Sequence, residues 1–94
     1  MATAMELIEN GMTFSHYELT PWWDEDEENE EYDIVEYKTL PKALKALAKE
    51  VVEWSEADTP PKAIAIEAYY KDANGDLEYV TDPVAEIFLT DAVL

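Results

Sequence analysis

Eight of the ten residues at positions 24–33 are carboxylates: Asp24, Glu25, Asp26, Glu27, Glu28, Glu30, Glu31 and Asp33. No lysine, arginine or histidine interrupts them. Trp22 and Trp23 stand at one end of the run and Tyr32 near the other. Such a run is an array of hydrogen-bond acceptors of a single charge. It can hold cations loosely, and it can offer a basic protein what a phosphate backbone offers. Blocks of like charge repel themselves, stay solvated and often serve as interaction segments. Tryptophan and tyrosine beside them are anchors of the kind favoured in interface hot spots. The candidate partner-binding residues are therefore Trp22, Trp23 and the eight carboxylates. Glu67, Tyr69 and Glu78, on the polar face of a later hairpin, join them.

Other chemistries have little to work with. His16 is the sole histidine, and its place beside Phe14 in an alternating stretch reads as structural. Ser15 and Ser55 lack the neighbours of an activated nucleophile. There is no cysteine, hence no disulfide framework and no thiolate chemistry. The only glycines, Gly11 and Gly75, belong to turns, so no glycine-rich loop cradles phosphates. The stretch 72–76 (Asp-Ala-Asn-Gly-Asp) has its glycine fourth, where a calcium loop of the EF-hand kind needs it sixth. A pair of glycosidase-like carboxylates needs a cleft, which a domain this small rarely supplies. The expectation is a protein without catalytic residues, metal or cofactor.

The charge balance points the same way. There are 23 acidic residues against six lysines and no arginine, for a net charge of −17. Phosphate contact needs lysine and arginine, so direct binding to nucleic acid or to anionic membranes is disfavoured. Fast, salt-sensitive association with a basic protein is favoured. Adaptation to a salty cytoplasm is another source of acidity, but here the acids are clustered. No apolar run approaches the roughly 20 residues of a membrane span, and residues 1–11 lack the basic and apolar regions of a signal peptide. The expected location is the cytoplasm.

The elements that must position these residues follow from periodicity and punctuation. The 94 residues are read as one domain. Residues 1–20 read as a hairpin about Asn10-Gly11, a strong type I′ turn signal, with a short helix over 2–9 as the rival reading. Pro21 ends that strand, and 21–31 forms the acidic loop. Residues 32–38 alternate as a strand. Leu40, Leu44, Leu47, Val51 and Trp54 recur at three- and four-residue spacing and predict a helix over 40–57, with Thr39 as N-cap and Pro41 in the first turn. Lys42 and Lys45 sit at its positive end and Glu53 and Glu56 at its negative end, against the helix dipole. That inversion predicts that Lys42 or Lys45 lies close to the acidic segment. Residues 62–82 form a second hairpin about Asn74-Gly75. A two-residue turn sets Tyr70 opposite Tyr79 and Lys71 opposite Glu78, and puts Ile64, Ile66, Ala68, Tyr70, Leu77 and Tyr79 on the core face. Asp82-Pro83 suits an N-cap followed by an N1 proline, the start of a short final helix carrying Val84, Ile87 and Phe88.

The fold class is thus α+β: an antiparallel sheet of about five strands on one main helix, in the order β-β-β-α-β-β. Leu44, Leu47, Val51, Ile64 and Ile66 form the expected core. In size, acidity and mixed helix–sheet character the chain resembles small phage-encoded DNA mimics, among them anti-CRISPR proteins, antirestriction proteins and uracil-glycosylase inhibitors. That resemblance, to the class as a whole, implies a nuclease or CRISPR effector as target, in the host cytoplasm. The alternative is an acidic protein-interaction module of the toxin-immunity or adaptor type, without mimicry.

Overall fold

A computed structural model describes residues 3–24 and 31–89 of the chain. It opens on a helix, α1 (Ala4–Glu9), where a strand was expected. Thr3 caps it: the hydroxyl accepts from the Glu6 amide at 3.2 Å. At its far end the Gly11 amide donates to the Ile8 carbonyl and the Met12 amide to the Leu7 carbonyl, both at 3.0 Å. These two bonds make a Schellman cap around Gly11, whose φ is +82°. A type I′ turn needs positive φ at both central residues, and Asn10 sits at −83°. Asn-Gly therefore ends a helix here, and the rival reading of residues 2–9 is the one observed.

Strand β1 (Thr13–Trp22) runs past Pro21 rather than stopping there. Its outer neighbour, β2 (Glu36–Tyr37), pairs only with Tyr17 and Glu18. Among the described residues, Pro21 thus has a strand on one side only, and proline is tolerated on such an edge. The strand expected over 32–38 shrinks to those two residues, and Ile34 and Val35 are exposed.

Helix α2 (Leu40–Ser55) lies close to its expected bounds. Thr39 has the extended backbone of an N-cap but makes no side-chain capping bond. Ala43 and Leu47 are buried, while Leu44 is 45% exposed, against expectation. Successive helical residues are about 100° apart, and the buried arc is centred between Ala43 and Leu47. Leu44 falls at its edge, and Glu50 is turned toward the sheet instead. Burial pushes the Glu50 carboxyl up from its ordinary value, and Glu53 adds to the effect.

Strand β3 (Ala63–Lys71) is central. One edge pairs with β1 throughout, and the other is shared by β4 (Leu77–Tyr79) and β5 (Ala85–Phe88). All pairings are antiparallel, giving a five-stranded sheet with path β2-β1-β3-β4 and β5 beside β3. Residues 85–88 are thus a strand, not the expected final helix: Ala85 and Ile87 are half-buried, Glu86 and Phe88 exposed. The fold is α+β, with α2 packed on one face of the sheet. Leu19, Ala43, Leu47, Ile64, Ile66 and Leu89 form the buried cluster, flanked by the half-buried Val51 and Trp54. Burying each large aliphatic side chain contributes roughly 1.5–3 kcal/mol.

The β3–β4 register differs by one residue from expectation. Tyr69 faces Tyr79, Tyr70 faces Glu78 and Lys71 faces Leu77. The loop has three residues, Ala73 to Gly75, closed by an Asp72 amide bond to the Asp76 carbonyl at 3.0 Å. The Asp72 carboxylate accepts from the Asn74 and Asp76 amides at 2.8 and 3.0 Å. Gly75, at φ +87°, takes the left-handed position that such loops require. A slip by one residue moves a strand's side chains to the other face. Leu77 and Tyr79 accordingly lie about half exposed, away from the core.

Candidate functional site

The acidic run leaves the sheet at the end of β1 and returns before β2. Its two ends are tied to the fold by aromatic rings. The Trp23 ring stands edge-on to Trp54 of α2, centroids 5.4 Å apart, and lies 6.4 Å from Tyr32. The Trp23 indole N–H donates to the Thr59 carbonyl at 2.8 Å. Asp24 pairs with Lys62 at 3.5 Å, an exposed contact that orients more than it stabilises. Trp22 is half exposed. Glu31, Tyr32, Asp33 and Ile34 line an open depression where the run returns. Trp22, Trp23, Asp24, Glu31 and Asp33 are therefore gathered around one stem. Glu25, Asp26, Glu27, Glu28 and Glu30 lie outside the described residues.

A second acidic surface lies on the sheet face away from α2. Glu18 stands directly opposite Glu36 on one side and Glu67 on the other, so three carboxylates form a row across β2, β1 and β3. The neighbouring row holds His16, Tyr69 and Tyr79. His16 is buried and stacks flat on Tyr69, centroids 5.1 Å apart and planes within 6°. Its Nε2 lies 2.7 Å from the Glu18 carboxylate, and its Nδ1 lies 2.8 Å from the Ser15 hydroxyl and 3.5 Å from Glu36. A protonated ring can thus donate toward both glutamates. Phe14 does not share this face. A bulge between Phe14 and His16 sends Phe14 to the Tyr17 and Tyr70 rings. The Tyr69 phenol is pushed up to about 12, first by burial and then by the charges of Glu18 and Glu67.

Glu67 and Tyr69 thus share a face, as the alternation predicts. Glu78 does not join them. Paired with Tyr70, it belongs to the opposite face because of the register offset. Sequence reasoning missed Glu18, Glu36 and Tyr79. Their meeting depends on the register of four strands, and only the local Tyr69–Glu67 alternation signals any of it.

The expected contact between α2 lysines and the acidic segment is not made among the described residues. Asp24 takes Lys62, which lies on the turn into β3. Lys42, Lys45 and Lys49 instead line a shallow groove floored by Tyr37 and Ala46, and Lys49 pairs weakly with Glu53 at 3.8 Å. Among the described residues, no three histidine, aspartate or glutamate side chains are placed to hold a metal ion, and no helix is long and apolar enough to cross a membrane. Comparison with known proteins finds no matching family model, no matching curated protein and no matching solved structure.

Proposed function

We propose that this protein is an acidic nucleic-acid mimic, an inhibitor that occupies the basic DNA- or RNA-binding groove of another protein. A CRISPR effector or a host nuclease in the cytoplasm is the kind of target that fits. The observation that carries this reading is the stem: Trp23, Tyr32 and Trp54 hold together the two ends of a run with eight carboxylates in ten residues. Fixing the ends of a binding segment before association lowers the ordering cost that binding must overcome. The charges then steer encounter with a basic groove, and the exposed Trp22 supplies an apolar anchor. The protein acts by binding, without catalysis or a cofactor.

The test starts from capture of a partner from host lysate at low salt, followed by competition with DNA and RNA. Replacing Glu27, Glu28, Glu30 and Glu31 with glutamine removes four charges at nearly constant shape. The variant should stay folded, associate more slowly and lose its power to displace nucleic acid from the captured protein. Undiminished competition by this variant at every salt concentration defeats the proposal. A captured partner that nucleic acid cannot displace supports an acidic interaction module of the toxin-immunity or adaptor type instead.

A further inference from the structure

Like charges placed directly opposite on neighbouring strands destabilise a sheet. Three carboxylates share the row Glu36–Glu18–Glu67, and the His16 ring reaches two of them, Glu18 and Glu36. Glu67 is 6% exposed, and among the described residues its carboxylate makes no hydrogen bond and no ion pair. No fully buried side-chain oxygen among those residues lacks a partner, so the Glu67 carboxylate keeps a narrow window to solvent. The Glu67 carboxylate therefore stands without a cationic partner of its own among the described residues. Beside it stand two phenol rings, Tyr69 and the half-exposed Tyr79, with centroids 5.9 Å apart.

We propose that Glu67, with Glu18 and the Tyr69–Tyr79 pair, is an acceptor slot for a single arginine side chain presented by a basic protein partner. A guanidinium is planar, stacks on aromatic faces and offers a fork of N–H donors to a carboxylate. A lysine ammonium supplies the charge without the plane. The slot lies on the sheet, with Tyr32 at the return of the acidic run close enough to act on Tyr69, and it does not depend on that run's function.

The probe is the blocked tripeptide acetyl-Gly-Arg-Gly-amide, with acetyl-Gly-Lys-Gly-amide beside it, titrated into the full chain and followed by NMR. The arginine peptide should shift the Tyr69 and Tyr79 ring signals and bind at least fivefold more tightly than the lysine peptide. Glu67→Gln should weaken arginine binding at least fivefold, and Glu53→Gln, on the exposed surface of α2, should leave it unchanged. Circular dichroism checks the fold of each variant. Tyr79→Leu gives a second reading on an exposed position and should reduce the arginine preference even if Glu67→Gln folds poorly. Equal affinity for the two peptides, or arginine binding that survives both Glu67→Gln and Tyr79→Leu, overturns the slot. The four-glutamine variant of the acidic run should bind the arginine peptide as wild type does, and its loss there would place the peptide on the run instead. Failure of the slot leaves the competition assay above untouched.

Discussion

Trp23 meets Trp54 edge to face, 5.4 Å between centroids and 83° between planes. The first tells where the acidic run begins, and the second belongs to the last turns of α2. Aromatic pairs of this geometry contribute about 0.5–1.5 kcal/mol beyond their buried area. A double-mutant cycle with Trp23→Leu and Trp54→Leu, read by urea unfolding, should give a coupling of that size.

Trp23→Phe separates the ring from its hydrogen bond. It keeps an aromatic face toward Trp54 and loses the N–H that reaches the Thr59 carbonyl. The expected cost is about 0.5–1.5 kcal/mol, measured by the same unfolding experiment.

The rotated face of α2 predicts an asymmetry between two leucines three residues apart in the helix. Leu47, 2% exposed, should cost roughly 2–5 kcal/mol on replacement by alanine. Leu44, 45% exposed, should cost well under half as much. Denaturant midpoints of the two variants decide this, and equal losses would contradict the orientation of the helix.

Glu50 gives a pH prediction. Its carboxyl titrates above the ordinary 4.5 in the folded chain. The folded state therefore holds a proton that the unfolded state has already released, and stability falls as pH rises through that window. Glu50→Gln should raise the melting temperature at neutral pH. The gain should vanish once the solution is more acidic than the unfolded carboxyl's own value. A gain that persists unchanged in acid would assign it to another cause.

Tyr69 predicts the alkaline limb. With its phenol held near 12, the folded chain keeps a proton that unfolded tyrosine loses near 10. Stability should decline between those values as pH rises, because the unfolded state then binds fewer protons. Ultraviolet titration should show Tyr69 among the late-ionising tyrosines, with Tyr37 also raised by burial and Glu50, and Glu67→Gln should bring the Tyr69 ionisation to lower pH.

How much of this was readable beforehand depends on the range of the interactions involved. α2 was legible because Leu40, Leu47, Val51 and Trp54 repeat within one segment. Asn10-Gly11 was ambiguous because a helix cap and a hairpin turn both need glycine's positive φ. Only the neighbouring Asn10, at −83°, separates them, and sequence does not display it. Asn74-Gly75 was correctly placed in a turn, but Asp72 adds two amide bonds that favour a three-residue loop over a two-residue one. That single residue of difference moved Leu77, Glu78 and Tyr79 to the opposite faces. Val84, Ile87 and Phe88 fit a helical spacing over too few residues to exclude the alternation seen in β5. The aromatic fence of the acidic run was visible in Trp22, Trp23 and Tyr32. Its anchor on Trp54 was not, since that contact joins residues about thirty positions apart. The carboxylate row needed two strand registers at once, and no local pattern encodes it.

The stem at Trp23 and Tyr32 also makes the chain modular. Closure entropy grows slowly with length, by about 0.6 kcal/mol for each doubling. Residues inserted or exchanged between those two rings need not disturb the Leu47, Ile64 and Ile66 core. Charge number and spacing in that segment can then be varied while the scaffold stays constant. The segment between the two rings is a cassette of fewer than ten residues, exchangeable with the sheet and α2 left intact.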